Sequence, residues 1–371
     1  MKQIIAALRG FGPFMIGELK ARLPLVQGGM GVGISLSGLA SAVANEGGVG
    51  VISAASISRT PRYAGLGLSD ADALRQDIRR ARRLTKGFIG VNIMVALTNF
   101  EALCRAALEE GVDILFAGAG LPLSLPAFAE KWSKTKLVPI VSSGKAAAMI
   151  AKWWKEKYNR LPDAFVVEGP MAGGHLGFKS NQIDDPAFTL EKILPDVCDA
   201  ARNLEKDSGV SIPLIAAGGI YTGADIRKYL EMGAQAVQLG TRFVATAECD
   251  APEQFKQAYL DARQGDILIV QSPVGMPGRA LKNSFIQKME MGQTSPVRCR
   301  YHCITPCKRD KSPYCIADAL LTSLSGNTED GLIFAGENAW RVNKMQTVQE
   351  LIKELELEYV QAGTPERKQV I

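Results

Sequence analysis

The chain contains only two histidines, and one of them, His175, lies in the glycine-rich stretch EGPMAGGHLGF at residues 168–178. Its neighbours Ala172, Gly173 and Gly174 are small, so a flat ligand could approach the imidazole closely. A neutral imidazole can accept a proton from carbon, and an imidazolium can donate one near neutral pH. We therefore predict that His175 is a catalytic residue. The alternative is a loop histidine whose hydrogen bonds are satisfied within the protein.

Two pairs of small residues, Gly218–Gly219 and Gly240–Thr241, each follow a short apolar run that is typical of a buried strand. Glycine lets the backbone approach a ligand closely, so that its N–H groups can point at phosphate oxygens. The sequence Gly-Ala-Asp at 223–225 indicates a helix start whose partial positive charge would add to this effect. We therefore predict a phosphate site at these two pairs. The alternative is that the glycines only permit tight turns.

Four cysteines lie within the segment CRYHCITPCKRDKSPYC at residues 299–315, with the spacing C-x3-C-x3-C-x7-C. Four thiols this close together could bind an iron–sulfur cluster or a zinc ion, although the spacing is not a standard signature. Reduced structural thiols or a redox-active pair would give the same pattern. The candidate metal ligands are Cys299, Cys303, Cys307 and Cys315.

Eight short apolar runs recur in the part of the chain up to residue 250, and each is closed by glycine or a small polar residue. The runs are continuous, which is typical of strands in a parallel sheet that is covered on both faces. Helical patterns lie between them, for example at 36–47, 71–85, 100–111 and 223–233. This repeat predicts an α/β fold of the closed (β/α)8 TIM barrel type. An open doubly wound sheet is disfavoured, because no G-x-G-x-x-G motif opens a helix. The eight predicted strands lie at 24–29, 48–55, 88–95, 112–120, 137–143, 163–169, 213–219 and 236–243.

The pattern changes after residue 250, and we interpret residues 1–250 as the barrel and 251–371 as a helical, cysteine-containing appendage packed on it. A helix at 251–263, a strand at 267–275 and helices at 316–326 and 347–361 are predicted there. In such a barrel the C-terminal ends of the strands carry the active site. The ends of the first, third and fifth strands therefore add candidate binding residues, namely Gly28, Gly29, Met30, Asn92 and Ser142.

The composition favours an ordinary globular protein, because 47% of the 371 residues are hydrophobic and the net charge is +5. The basic residues do not form a nucleic-acid stripe, and RRARR at 79–83 indicates a solvated helix face. The N-terminal apolar run is too short for a signal peptide, and no apolar stretch of about 18 residues predicts a spanning helix. We expect a cytoplasmic protein with no nucleic-acid or membrane partner.

Six short motifs appear in order along the barrel, the last of them beyond it. They are PLVQGGMG (24–31), GVN (90–92), GGHLG (173–177), AAGGI (216–220), QLGTRF (238–243) and GRALKNSF (278–285), of which the last is the weakest match. Together they resemble the nitronate monooxygenase (2-nitropropane dioxygenase) family, whose close relatives include the FMN-dependent type II enoyl-acyl-carrier-protein reductases. The motifs are specific for the superfamily and do not separate its branches.

The resemblance implies a barrel with FMN lying across its mouth. Gly28, Gly29 and Met30 would contact the flavin ring through their backbone, and Asn92 would hydrogen-bond its polar edge. His175 would lie beside the reactive face of the ring. Three loops would hold the ribityl phosphate through Gly173, Gly174, Gly218, Gly219, Gly240 and Thr241.

One candidate departs from the family pattern. Ser142 occupies a place where many relatives carry lysine. The cationic contact to FMN would then be missing, or Lys145 would replace it. Ser142 is kept as a candidate cofactor contact.

The resemblance also implies the chemistry. A nitronate would be oxidised with dioxygen to a carbonyl compound and nitrite, and His175 would bind the nitro group or act as base. In the alternative, NAD(P)H reduces FMN, which passes hydride to an enoyl thioester. A third hypothesis is a flavin- or metal-binding module without turnover. The expected partners are therefore a small-molecule substrate and either dioxygen or NAD(P)H, and the chain could form a homo-oligomer.

Overall fold

The computed structural model describes residues 10–129, 134–293, 299, 301–308 and 312–364. Eight parallel strands form a closed barrel at its centre, and they coincide with the eight strands predicted from the sequence. The predicted (β/α)8 barrel is therefore confirmed. The strands, numbered along the chain, are β1 (Phe14–Ile16), β2 (Leu19–Ala21), β3 (Leu25–Gln27), β4 (Val49–Ser53), β5 (Phe88–Met94), β6 (Ile114–Gly118), β7 (Lys136–Val141), β8 (Phe165–Glu168), β9 (Gly174–His175), β10 (Leu214–Ala217), β11 (Ala236–Leu239), β12 (Ile267–Gln271) and β13 (Pro277–Leu281).

The barrel closes in the order β3-β4-β5-β6-β7-β8-β10-β11, with β11 pairing back to β3. Alternate residues of each strand point into the barrel, and the others pack against the surrounding helices. The interior is filled by apolar side chains that form one buried cluster, including Val26, Val51, Phe116, Val138, Val166 and Ile215. This packed interior leaves the two ends of the barrel as the places where a ligand could bind.

The N-terminal end of the barrel is closed by the antiparallel hairpin β1–β2, which the sequence analysis did not predict. Phe14, Ile16 and Ala21 from this hairpin belong to the buried interior cluster. The hairpin is also tied to the first residue of β7, because Lys136 Nζ donates a hydrogen bond of 2.6 Å to Glu18 Oε2. The opposite, C-terminal end therefore remains the only open mouth among the described residues.

Helices surround the barrel and follow most of its strands. Several begin at residues suited to capping: Ser69 accepts a hydrogen bond from Asp72 N–H, and Thr347 forms a capping box with Glu350. The predicted helices at 36–47, 71–85, 100–111 and 223–233 are present. The helices are α1 (Ser37–Asn45), α2 (Asp70–Leu84), α3 (Phe100–Glu109), α4 (Leu125–Ala129), α5 (Gly144–Tyr158), α6 (Leu190–Ser208), α7 (Gly223–Glu231), α8 (Thr241–Val244), α9 (Glu253–Asp261), α10 (Ser284–Glu290), α11 (Ile316–Leu324) and α12 (Val348–Ala362).

The residues after 250 pack on the barrel and reach its mouth. The antiparallel hairpin β12–β13 pairs with β9, so that Gly278 lies opposite His175. Buried Arg279 donates hydrogen bonds to the carbonyl oxygens of Pro170 and Ala172 and forms an ion pair with Glu337. The predicted strand at 267–275 ends earlier, at Gln271. The division at residue 250 remains our interpretation.

Within the described ranges, no helix is long and apolar enough to cross a membrane.

Candidate active site

A cavity of about 260 Å³ lies at the C-terminal ends of the barrel strands, where the fold predicts the active site. Its floor is the last layer of side chains that point into the barrel. Four of these side chains are polar, in contrast to the apolar layers below them, and each lines the cavity: Ser53, Asn92, Glu168 and Gln238.

Most of the binding residues predicted from the sequence meet around this one cavity. They are spread over the chain from position 28 to position 241 and lie at the ends of five barrel strands, β3, β5, β8, β10 and β11. The predicted residues that line it are Gly28, Gly29, Met30, Asn92, Gly173, Gly174, His175, Gly218, Gly219, Gly240 and Thr241.

Ser142 is the exception among the predicted binding residues. It does not line the cavity, and its hydroxyl lies beside Gly177, 2.8 Å from where a Cβ of that residue would be. Lys145, considered as a replacement for a family lysine, is exposed and does not line the cavity either. From β7 it is Ile140 that lines the cavity. A direct contact between Ser142 and a cofactor therefore remains a prediction that the cavity does not support.

His175 is held at the edge of the cavity by the pairing of β9 with β13. A hydrogen bond of 2.7 Å joins its Nε2 to Ser272 Oγ, and its ring lies edge-on to Phe334 at 4.9 Å between centroids. Burial lowers the pKa of His175 to about 4. The imidazole is therefore neutral at neutral pH, and its Nδ1 has no hydrogen-bond partner among the described residues.

Gly218 and Gly219 form a bare backbone surface on the rim of the cavity. Their φ angles are +91° and +84°, a region that favours glycine, and a Cβ on Gly218 would lie 2.7 Å from the carbonyl oxygen of Gly169. Asn338 Nδ2 fixes this turn by donating a hydrogen bond of 2.7 Å to Gly219 O. Within the described residues, no partner is found for the backbone N–H of Gly218, Gly219 or Gly240. These features fit the phosphate of a cofactor such as FMN.

The helix start at 223–225 is present, but its predicted contribution to the phosphate site is wrong. Gly223 N–H donates a hydrogen bond of 2.7 Å to Glu358 Oε2 of α12, and Thr222 and Asp225 form a capping box. The Glu358 carboxylate therefore accepts from the first N–H group of α7, Asp225 N–H donates to Thr222 Oγ1, and residues 223–225 do not line the cavity. The residue Thr241 instead begins the short helix α8, whose N-cap Gly240 has no side-chain cap.

The turn after β3 is fixed by a buried polar network. Met30 N–H donates a hydrogen bond of 2.8 Å to Ser35 Oγ. Asp250 accepts from the N–H groups of Leu36 (2.8 Å) and Leu39 (3.0 Å), and its other oxygen accepts from Arg62 at 2.7 Å. Because this network holds both ends of the turn, the backbone of residues 28–30 is presented to the cavity in one conformation.

The four clustered cysteines do not form a metal site in this structure. The described residues, which include all four, contain no group of three or more His, Cys, Asp or Glu side chains placed to hold a metal ion. Burial, with a smaller effect of Cys315, raises the pKa of Cys303 to about 11, so this thiol is protonated at neutral pH. The structure thus gives no support to the iron–sulfur or zinc site predicted at Cys299, Cys303, Cys307 and Cys315.

Several lining residues were not identified from the sequence. Glu168 carried a usable signal, since it is a charged residue that closes a buried apolar strand. Ser272 and Asn338 carried none, because each reaches the site through contacts with residues about a hundred positions away. The lining residues that were missed include Ile140, Glu168, Met171, Gln238, Tyr259, Phe334 and Asn338.

The fold is a closed (β/α)8 barrel, and the site is a glycine-lined cavity at its mouth with a neutral histidine at the edge. A sequence model of the nitronate monooxygenase family matches residues 13–101 and 96–358. The chain belongs to the nitronate monooxygenase family, a family of FMN-dependent oxidoreductases, and the resemblance predicted from its motifs is confirmed.

Three relatives show how the chain compares with known proteins. It is 30% identical over 269 residues to the (3aS,4S,5R,7aS)-5-hydroxy-7a-methyl-1-oxo-octahydro-1H-indene-4-carboxyl-CoA dehydrogenase of Mycobacterium tuberculosis. The match covers 72% of this chain and 66% of that protein, which is just under two thirds of its length. It is 26% identical over 302 residues to a probable nitronate monooxygenase of Staphylococcus aureus, covering 73% and 78% of the two chains. The structure of FabK from Thermotoga maritima superposes with a TM-score of 0.70 at 27% identity, covering 91% and 93%.

Proposed function

We propose that this protein is an FMN-dependent oxidoreductase that oxidises alkyl nitronates with dioxygen to a carbonyl compound and nitrite. The observation that carries the proposal is the neutral imidazole of His175 at the edge of a glycine-lined cavity at the barrel mouth. Family membership and the similarity to a probable nitronate monooxygenase support it.

The residues around the cavity suit FMN in two ways. The free backbone N–H groups of Gly218, Gly219 and Gly240 would bind its phosphate. Asn92 offers both a donor and an acceptor to the polar edge of the ring, and a Cβ on Gly29 would lie 2.4 Å from Asn92 Cβ, so only glycine fits beside it. FMN would supply the electron-accepting ring, and the protein supplies binding and orientation.

His175 would act on the substrate through Nδ1, since its Nε2 is bonded to Ser272. A neutral imidazole can remove a proton from the α-carbon of a nitroalkane. In the other tautomer, Nδ1–H can donate a hydrogen bond to the anionic nitro group of a nitronate. The contact with Phe334 and the hydrogen bond to Ser272 hold the ring in place for either role.

Anaerobic mixing of the FMN-loaded protein with a nitronate tests this function. We expect rapid loss of the visible flavin absorbance with an alkyl nitronate, and none with NADH or NADPH on the same timescale. After admission of air, nitrite should appear in proportion to the nitronate consumed. Loss of absorbance with NADH alone would contradict the proposal.

A second candidate is an NAD(P)H-dependent reductase of an enoyl thioester. It is favoured by the overall superposition with FabK and by the carboxyl-CoA substrate in the name of the M. tuberculosis relative. Fast anaerobic reduction by NADH or NADPH, followed by reoxidation with an enoyl thioester, would establish this candidate in place of the first.

The proposed function also includes an expected location of the protein and an expected state of assembly. A flavin oxidoreductase that uses a small-molecule substrate with dioxygen or a nicotinamide suits the cytoplasm expected from the sequence. Assembly as a homo-oligomer is a further expectation, which size-exclusion chromatography with light scattering would test.

A further inference from the structure

The segment 333–338 of the appendage runs beside β13 at the barrel mouth. Phe334 lies opposite Ala280 of β13. Hydrogen bonds join the two segments on either side of this pair, one of them from Ala335 N–H to Arg279 O at 3.1 Å. In an antiparallel pair of this kind, the carbonyl group of Phe334 points away from β13. Among the described residues no backbone N–H donates to this carbonyl, so its partner comes from a side chain of another element.

Tyr259 of α9 supplies that partner. Its hydroxyl donates a hydrogen bond of 2.6 Å to Phe334 O. The side chain of Tyr259 is buried and lines the cavity. Burial, with a smaller effect of Cys249, raises the pKa of Tyr259, so the phenol keeps its proton and remains a donor. This hydrogen bond ties the backbone of Phe334 to α9.

The ring of Phe334 in turn lies against His175. The two rings meet edge-on, with 4.9 Å between their centroids. Gly278 lies opposite His175 in the pairing of β9 with β13, and a Cβ on Gly278 would lie 2.9 Å from Phe334 Cε1. The ring therefore covers the backbone of this strand pair and shields one side of the imidazole from water.

We propose that Tyr259 is a positioning residue, whose hydroxyl holds Phe334 against His175 and so keeps the imidazole shielded and directed at the substrate. This inference rests on the proposed function, since it takes His175 as the group that acts on the nitroalkane or nitronate. No hydrogen bond joins Tyr259 to His175 among the described residues, so the effect of the hydroxyl passes through Phe334.

The imidazole itself can report on this arrangement. Burial lowers the pKa of His175 to about 4, with no charged neighbour contributing. The other titratable groups of the cavity lining are Glu168 and Tyr259, and Arg279 of β13 is paired with Glu337. Because the loss of hydration causes the low pKa, water admitted beside the ring should raise the pKa toward its ordinary value.

The experiment follows the protonation of His175 by NMR in the full-length, flavin-free protein, labelled with 13C at histidine and titrated from pH 8 to pH 4. The chain has two histidines, and His302→Asn identifies the other signal. At pH 5 about a tenth of His175 should be protonated in wild type, and about half in Tyr259→Phe. The matched control Tyr229→Phe removes a hydrogen bond of 2.9 Å between another buried tyrosine and Glu191, and it should behave as wild type.

A second variant tests the route through Phe334. Phe334→Leu keeps an apolar side chain and the carbonyl group that Tyr259 binds, but it removes the ring beside His175. It should also raise the acid dissociation of His175 to the level of Tyr259→Phe, about tenfold from wild type. In the double variant the loss of the hydroxyl should add less than about twofold to this change. Full additivity of the two substitutions would overturn the proposal, because Tyr259 would then act independently of Phe334.

A purely structural role of the hydroxyl has a different signature. It predicts that Tyr259→Phe unfolds at a lower urea concentration while the pKa of His175 stays at the wild-type value, and this result would overturn the proposal. If Tyr259→Phe does not fold, an unchanged pKa of His175 in Phe334→Leu would overturn it. Failure of the wild type to turn over any nitronate or nitroalkane would instead overturn the proposed function, since the NMR titration uses neither flavin nor substrate.

Discussion

Removal of the buried charge at Glu168 should make the flavin-free protein more stable at high pH. Burial raises the pKa of this carboxyl group from 4.5 to about 7. Between these values the unfolded chain loses the proton while the folded protein keeps it, so the contribution of Glu168 to stability is lost as the pH rises through this window. The full shift corresponds to up to about 3 kcal/mol above pH 7.

The assay is urea unfolding of flavin-free wild type and Glu168→Gln at pH 5 and pH 8. Glutamine cannot ionise, so the difference between the two proteins isolates the titration of Glu168 and cancels that of every other group. From pH 5 to pH 8, the free energy of unfolding of wild type should fall by about 2 kcal/mol relative to the variant. A difference between the two proteins that is the same at both pH values would refute the assignment of a raised pKa to Glu168.

Three further predictions follow from the site and the network that holds it. His175→Asn should lower kcat on a neutral nitroalkane by about a hundredfold or more while FMN still binds. In wild type, kcat/KM should not fall as the pH is lowered until the pH is well below 6.5, because burial lowers the pKa of His175 to about 4. Gly218→Ala should weaken FMN binding at least tenfold. The control Gly209→Ala, which is also at positive φ but has nothing within 4 Å of the new Cβ, should leave FMN binding unchanged. Equal FMN affinities of the two variants in fluorescence titration would count against the phosphate site. Asp250→Ala leaves the N–H groups of Leu36 and Leu39 without their partner and removes one of the two carboxylates paired with Arg62, so the free energy of unfolding in urea should drop by about 3 kcal/mol. An unchanged midpoint would contradict the role given to this network.

The barrel was predictable because its strands are buried on both faces. Runs such as ILFAG and LIAA are continuously apolar, and turn residues close them, so the local sequence itself indicates parallel strands. The hairpin β1–β2 was not predictable in this way. Its strands are only three residues long, and its role depends on Phe14 and Ile16 meeting the end of a barrel that forms elsewhere in the chain.

The candidate site was predictable where glycine or histidine follows a strand. Gly218, Gly240 and His175 are found at the mouth because parallel strands in a barrel all end on the same side. Partners that come from distant segments gave no local signal. Glu358, which caps α7 and so excludes its N-terminus from the phosphate site, is 135 residues away from Gly223.

A crystal structure of the protein grown with FMN tests the central claim most directly. We predict that the phosphate lies within hydrogen-bond distance of the backbone N–H groups of Gly218, Gly219 and Gly240, with the ring beside His175. FMN bound elsewhere, or a phosphate held away from these glycines, would contradict the account.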